Sequence, residues 1–380
     1  MNHRERMILA CAAIVGIFVI VQVGALTFVE PAQEQGLQET EDGGDASLSI
    51  AFVIAILIAT AGMLALLKYG GQSVLRAFII LASVYISFFV FDVLVPALVE
   101  PTVGGIAVNL LAVGGALGLG AALFVYPEWY VIDGAGIVMG IGAAGLFGIN
   151  FGVFPAIVLL IVLAIYDAIS VYGTKHMLTL ASGVMEMRVP VVLVVPLSLS
   201  YSFLDADTPT TLAEETDDPS ESSSESGEPD TEHSIDELNS MTPAEIAELP
   251  SEWFDGVDGE AIDELDDERK EAVREALPNR DAMFIGLGDA IIPTVLVASV
   301  ASFVQTDLTV SVLGLTAPLP AVTAMVGTVL GLVVLLWMVT KGRAHAGLPL
   351  LNGGAIGGYL LGALISGMTL AEALGISGVV

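Results

Sequence analysis

Two acidic side chains lie inside apolar stretches of the chain, at positions that suit hydrolytic chemistry. Asp167 lies about six residues before the end of one predicted membrane span, and Asp289 lies about seven residues after the start of the next. At about 1.5 Å per residue, both carboxyl groups would lie roughly 9 to 11 Å from the same membrane face. Charged groups inside a membrane are costly and usually functional. The spacing predicts that the two carboxylates face each other, share one proton, and act as acid and base on a water molecule.

The residues beside the two acids suit this chemistry. Asp289 closes the sequence GLGD, whose two glycines remove side-chain bulk and allow another backbone to approach the carboxylate. The phenol that precedes Asp167 would orient the site or border a substrate pocket. Pro293 is expected to bend its span and to free backbone carbonyls near the site. The expected site-shaping residues of these two segments are Tyr166, Gly286, Leu287 and Gly288.

Two further acids in apolar stretches have simpler interpretations. Asp133 follows Glu128, Trp129 and Tyr130 at the start of a predicted span, where an interfacial acid in an aromatic belt needs no special role. Asp92 lies in the outer part of its span and is interpreted as a hydrogen-bonded acid of helix packing.

The sequence predicts no metal site and no cofactor. His176 and His345 lie in loops just past two spans, where solvated or interfacial histidines are expected. Cys11 is the one cysteine and lies in an apolar run, which excludes an intramolecular disulfide and a Cys/His zinc site. Asn352 belongs to a run with small residues every three or four positions, which indicates close helix packing.

The elements that must position these residues are membrane helices. A helix needs about 20 apolar residues to cross a bilayer, and the chain contains nine candidate runs. We therefore predict an all-α membrane protein with nine transmembrane helices. The runs cover residues 7–29, 48–68, 74–98, 104–126, 131–150, 152–173, 282–304, 319–340 and 349–368.

The basic residues predict the orientation. Cytoplasmic loops of membrane proteins retain Lys and Arg. With nine spans and a cytoplasmic N-terminus, all 12 Lys and Arg residues fall on the inner side. The C-terminus then lies outside, and the two acids lie near the cytoplasmic face.

The composition agrees with a multi-pass protein of the cell membrane. Hydrophobic residues make up 55% of the chain, charged residues only 14%, and the mean hydropathy is +0.81, which excludes a soluble enzyme. The formal net charge of -31 would repel nucleic acid and favours a salt-rich, halophilic setting.

The chain divides into three parts. Residues 1–173 hold spans one to six, residues 174–281 form a cytoplasmic loop, and residues 282–380 hold spans seven to nine. The loop begins with an apolar stretch in which Val189–Pro196 is predicted to be a strand or re-entrant element. Its acidic part, residues 205–275, has a composition typical of disorder. Within it, Thr242 and Glu245 resemble a capping box of a short helix.

The combination of motifs resembles the presenilin and signal peptide peptidase family of intramembrane aspartyl proteases. The shared features are YD in one span, GLGD in the next after a long cytoplasmic loop, nine spans, and Leu348-Pro349 at the start of the last span. The likeness is greatest to archaeal presenilin-like members. The family sequence PAL followed by proline corresponds to AGLP at residues 346–349, so only its second half matches.

This resemblance implies a presenilin-like fold and an aspartic endopeptidase that cuts within transmembrane segments of other membrane proteins. Asp167 and Asp289 would be the catalytic pair, and Leu348 and Pro349 would help to shape the site or bind substrate. The implied partners are transmembrane or signal-peptide substrates in the lipid bilayer, with no obligatory subunits.

Three alternatives stay open at this point. The same acid pair would serve a proton- or cation-coupled transporter, although no inverted repeat is evident and both acids lie on one side of the membrane. Prepilin-type signal peptidases also use a GxGD aspartate, but nine spans are too many for them. A scaffold without catalytic activity is the last alternative, and the intact YD and GLGD motifs weigh against it.

Overall fold

The structure is a computed structural model that is mostly helical. It describes residues 3–38, 71–103, 106–171, 189–197, 240–247, 265–276, 282–312, 314–340 and 346–374, with residues 54, 58, 62, 238 and 249 in isolation. The second predicted span, His176, His345 and most of the acidic loop lie outside the described residues.

Eight apolar helices match eight of the nine predicted spans. They are α1 (His3–Glu34), α2 (Gln72–Leu94), α3 (Leu110–Val125), α4 (Trp129–Asn150), α5 (Val153–Ile169), α8 (Leu287–Phe303), α9 (Leu319–Val339) and α10 (Gly347–Ile365). Among the described helices, α1, α2, α4, α9 and α10 are long and apolar enough to cross a membrane, while α3, α5 and α8 are shorter. The count of nine spans and the orientation stay predictions.

The described residues also contain three two-stranded antiparallel ladders, although the predicted fold class was all-α. The first pairs β1 (Thr102–Val103) with β2 (Ile106–Ala107), and the last pairs β5 (Thr309–Val312) with β6 (Leu315–Pro318). Between them in sequence, β3 (Val192–Pro196) pairs with β4 (Ala282–Gly286). Strands of two to five residues are too short for a search for membrane spans to detect. The prediction of a strand within Val189–Pro196 is confirmed.

The β4 strand corrects the predicted start of the seventh span. The apolar run that begins at residue 282 predicts a helix throughout, but Ala282–Gly286 is a strand and the helix begins only at Leu287. The apolar β3 segment provides a partner for these residues. Inside a membrane protein every backbone N–H and C=O needs such a partner, so pairing the two segments is a stable alternative to one more helical turn.

Part of the acidic loop is helical. Helix α6 (Pro243–Ala247) starts at the predicted capping box, in which the Thr242 hydroxyl and N–H both donate to the Glu245 carboxylate. These hydrogen bonds hold the pKa of Glu245 below its usual value. Helix α7 (Asp267–Ala276) contacts α6, and the Arg269 side chain donates to the Met241 carbonyl. The disorder predicted for the rest of the loop concerns residues outside the described ranges.

Glycines allow the helices of the core to pack closely. A Cβ atom at Gly327 would collide with the Gly354 carbonyl, and one at Gly358 would collide with the Thr323 carbonyl, so α9 and α10 touch backbone to backbone. Asn352 adds a hydrogen bond from its side-chain amide to the Leu160 carbonyl of α5 at 2.9 Å. These contacts agree with the packing role predicted for the glycine-rich run around Asn352, and they fix α10 against α5 and α9.

Candidate active site

The two acids of the predicted pair lie at the facing ends of α5 and α8. Asp167 is two residues before the last residue of α5, and Asp289 is two residues after the first residue of α8. Their distances from the helix ends therefore match, as the sequence predicted, but are smaller than the six and seven residues expected. The difference arises because α5 ends at Ile169 and β4 replaces the start of the predicted seventh span.

Both carboxylates meet at the first residues of α10. The buried Asp167 carboxylate accepts the backbone N–H of Leu348 at 3.0 Å, and the Gly347 amide also interacts with it. The Asp289 carboxylate also lies close to Gly347: a Cβ atom added to this glycine would stand 3.6 Å from Asp289 Oδ2. Asp289 also interacts electrostatically with Asp167. The structure thus brings both acids to the same place, next to Gly347 and Leu348.

The start of α10 suits a site that carries negative charge. Ala346 is the N-cap residue, and Gly347, Leu348 and Pro349 form the first turn. The N–H groups of a first turn have no partner within the helix, and the helix dipole places partial positive charge there. Proline is well tolerated in this turn because its missing N–H would have no intrahelical acceptor. Leu348 therefore contacts Asp167 directly, and Pro349 follows it in the same turn.

The predicted site-shaping residues have different surroundings. Gly286 is close to the acid, since a Cβ atom there would lie 3.5 Å from Asp289 Oδ2. Leu287 is buried and packs over Gly136 and Gly140 of α4, where added Cβ atoms would stand 3.7 and 3.6 Å from its Cδ1. Gly288 is exposed, and a Cβ atom there would meet only Ile292 of its own helix within 4 Å.

Tyr166 and Pro293 lie near the two acids in sequence but have different surroundings. Tyr166 is 49% exposed on the surface of α5, unlike the buried Asp167 beside it. Pro293 is buried within α8, which continues through it. Because proline has no N–H, it removes the donor that would bond the Asp289 carbonyl in an α-helix. The position of Pro293 thus leaves the Asp289 carbonyl without its usual helical donor, as the sequence predicted. The predicted bend of the helix stays a prediction.

The β3–β4 ladder immediately precedes the helix that carries Asp289. Its five residue pairs run from Val192↔Gly286 to Pro196↔Ala282, and the Leu287 N–H then donates to the Val191 carbonyl at 2.8 Å. Side chains of the ladder pack into two separate clusters. Val195, Met283 and Ile285 pack with α1 and α9, whereas Val194, Ala282 and Phe284 pack with α3 and α4.

The structure also gives Asp133 a role that the sequence interpretation missed. It is only 7% exposed, and its Oδ1 accepts the backbone N–H of Val194 in β3 at 2.7 Å. The interpretation as an interfacial acid without a special role included neither this burial nor this hydrogen bond. No local pattern links residues 133 and 194, so the sequence carried no signal for this contact.

Comparisons with known proteins show what the chain is similar to. The model of the family described as signal-peptide peptidase, presenilin aspartyl protease matches residues 15–223 and 249–368. Two solved structures of a presenilin family intramembrane aspartate protease, in space groups C222 and P2, are each 28% identical to the chain. The first covers 93% of this chain and 99% of its own, with a TM-score of 0.55, and the second covers 93% and 97%, with a TM-score of 0.53. No curated protein matches the chain.

Proposed function

Because the chain belongs to the signal-peptide peptidase and presenilin aspartyl protease family, we propose that Asp167 and Asp289 are its catalytic pair and cut transmembrane segments of other membrane proteins. Membership makes the chain an aspartic endopeptidase, and its apolar helices make it a multi-pass membrane protein. We further propose nine spans with a cytoplasmic N-terminus and a location in the cell membrane, on the basis of the apolar runs and the distribution of basic residues.

The observation that carries this proposal is the meeting of both acids at one helix start. Asp167 accepts the Leu348 N–H, Asp289 lies close to Gly347, and the two carboxylates interact with each other. Two carboxyl groups at close range hold one proton between them, which is the state that general acid–base hydrolysis of a peptide requires. The acid pair together with the family match favours the protease over the transporter.

The hydrogen bonds suggest how the two acids divide the work. A backbone N–H donor stabilises negative charge on the carboxylate that accepts it. We therefore assign the general base to Asp167, which takes a proton from water while the water oxygen attacks the scissile carbonyl carbon. Asp289, protonated, donates a hydrogen bond to the carbonyl oxygen. When the C–N bond breaks, a proton from the pair passes to the leaving nitrogen.

The substrate must be unwound to react, because a helix hides its peptide bonds. The β3 strand cannot hold an added strand at its centre, since the Val194 N–H already donates to Asp133 and α4 lies against β3. The glycines beside Asp289 leave another place where the substrate backbone can come close to the acid. Added Cβ atoms at Gly286 and Gly347 would lie 3.5 and 3.6 Å from Asp289 Oδ2, so we propose that the substrate backbone approaches between these two residues.

Cleavage by isosteric variants tests the catalytic pair. Purified protein in detergent and high salt should cut a model single-span substrate within its span, and should bind an aspartyl-protease transition-state analogue. Asp167→Asn and Asp289→Asn should each lower kcat by at least about 1,000-fold, since each removes an acid or base from the reaction. Asp92→Asn, an acid of α2, is the matched control and should cleave normally.

Two results would contradict this assignment. Full activity of either active-site variant would remove that acid from the mechanism. A wild-type protein that is folded, yet neither cuts the substrate nor binds the analogue, would contradict the proposed activity on transmembrane segments.

A further inference from the structure

Asp133 is connected to the active site through hydrogen bonds and not through direct contact. It lies in the second turn of α4, and its carboxylate accepts the N–H of Val194, the central residue of β3. The donor and acceptor are 61 residues apart in the chain, so the bond fixes one element against another.

The β3–β4 ladder connects the Asp133–Val194 hydrogen bond to Asp289. Val194 pairs with Phe284 in β4, β4 ends at Gly286, and the next residue begins α8. The Leu287 N–H closes the end of the ladder by donating to the Val191 carbonyl. Only Gly288 then separates Leu287 from Asp289, so a shift of β3 relative to α4 would displace the Asp289 carboxylate.

The same helix holds the ladder at a second point. Gly136 and Gly140 lie about one and two turns after Asp133, on the same face of α4. Added Cβ atoms at these glycines would lie 3.7 and 3.6 Å from Leu287 Cδ1, and the one at Gly136 would lie 3.0 Å from Leu193 Cδ2. One face of α4 therefore holds β3 through Asp133 and the start of α8 through Leu287.

We propose that Asp133 is a positioning residue of the protease, whose carboxylate anchors β3 to α4 and thereby places Asp289 for catalysis. This inference rests on the proposed function, because it assumes that Asp289 reacts. It assigns Asp133 no contact with substrate. The role requires a hydrogen-bond acceptor at this position, and asparagine offers one in nearly the same place.

The test compares Asp133→Ala with Asp133→Asn in the purified full-length protein, using the single-span substrate. Misplacing a catalytic group by about 1 Å lowers a rate about 100-fold. We expect Asp133→Ala to lower kcat by about 30- to 100-fold with KM within about threefold of wild type. Asp133→Asn should recover kcat to within about fivefold, because its carbonyl oxygen accepts the Val194 N–H.

Matched controls separate positioning from general destabilisation. Asp92→Ala removes an acid from α2 and should leave kcat unchanged. Thermal unfolding measures the folded fraction of each variant, and kcat is expressed per folded molecule. If Asp133→Ala fails to fold, Asp133→Ser, whose shorter side chain withdraws the acceptor, takes its place with the same expected loss.

The outcomes are distinguishable from failure of the catalytic assignment. Wild-type kcat in Asp133→Ala, or equal inactivity of the folded Asp133→Ala and Asp133→Asn proteins, would overturn the positioning role while Asp289→Asn stays inactive. An active Asp289→Asn protein would instead overturn the catalytic pair itself.

Discussion

The β3–β4 and β5–β6 ladders are both two-stranded and antiparallel, but they differ in burial and in how far apart their strands lie in the sequence. The strands β3 and β4 are separated by the long acidic loop, yet Leu193 and Val194 are almost fully buried, with exposures of 2% and 1%. The strands β5 and β6 are neighbours in sequence, joined through Gly314, and several of their residues are exposed. The β3–β4 ladder leads into Asp289, whereas the β5–β6 hairpin leads into α9.

The difference shows what each ladder needs in order to form. A hairpin between neighbouring strands needs a suitable turn, and Gly314 provides it with a φ of 87°, which side-chain-bearing residues rarely adopt. A ladder between distant segments needs contacts from other elements to fix its position. For β3–β4 these contacts are Asp133 and the glycines of α4. We therefore expect changes in the β3–β4 ladder to affect catalysis and changes in the β5–β6 hairpin to affect only stability.

The largest effect is expected from removing the donor that Asp133 binds. Val194→Pro eliminates the N–H that points to Asp133, while Leu193 and Val195 keep their bonds to β4. We expect kcat for the single-span substrate to fall about 100-fold, because the ladder loses its anchor. Ser311→Pro, an exposed residue in the middle of β5, is the matched control and should keep kcat within about twofold of wild type.

A double variant sharpens this prediction. If Asp133 and Val194 act through one hydrogen bond, Asp133→Ala combined with Val194→Pro should lose no more activity than the more damaging single change. Fully multiplicative losses would show that the two residues act independently, and this would contradict the anchor.

A smaller effect is expected from adding a side chain where α4 contacts the β3–β4 ladder. In Gly136→Val the new Cβ would stand 3.0 Å from Leu193 Cδ2, so the Leu193 side chain must move. Overpacking of this kind costs about 1 to 3 kcal/mol. We expect a loss of several degrees in Tm and a decrease in kcat of about 10-fold.

The neighbouring Gly134 provides the control for this change. A Cβ there would meet nothing within 4 Å, so Gly134→Val should retain wild-type Tm and kcat. Equal kcat in the two variants would mean that the contact between α4 and the ladder does not influence the site.

The smallest effect on catalysis is expected from the hairpin turn. Gly314→Ala places a Cβ on a residue with positive φ, which costs about 1 to 2 kcal/mol. Tm should fall by a few degrees while kcat per folded molecule stays unchanged. A clear loss of kcat in this variant would remove the distinction between the two ladders.

Much of the site was predictable because it depends on local patterns. The acids in YD and GLGD, and Leu348-Pro349 at the start of the last helix, are recognisable from residue type, hydropathy and spacing. Tyr166 and Gly288 were selected by the same reasoning, because they adjoin the acids in sequence. The structure leaves both substantially exposed, since neighbours in a helix face different directions.

The sequence by itself determined the apolar helices, the two acids within them and the strand within Val189–Pro196. Periodicity, hydropathy and the cost of burying charge are properties of each segment alone. Only the tertiary structure decided that residues 282–286 form a strand, that Leu348 donates to Asp167, and that Asp133 binds Val194. Each of these features satisfies a backbone group with a partner that is distant in sequence. The identity of that partner depends on how the helices pack, which no local pattern encodes.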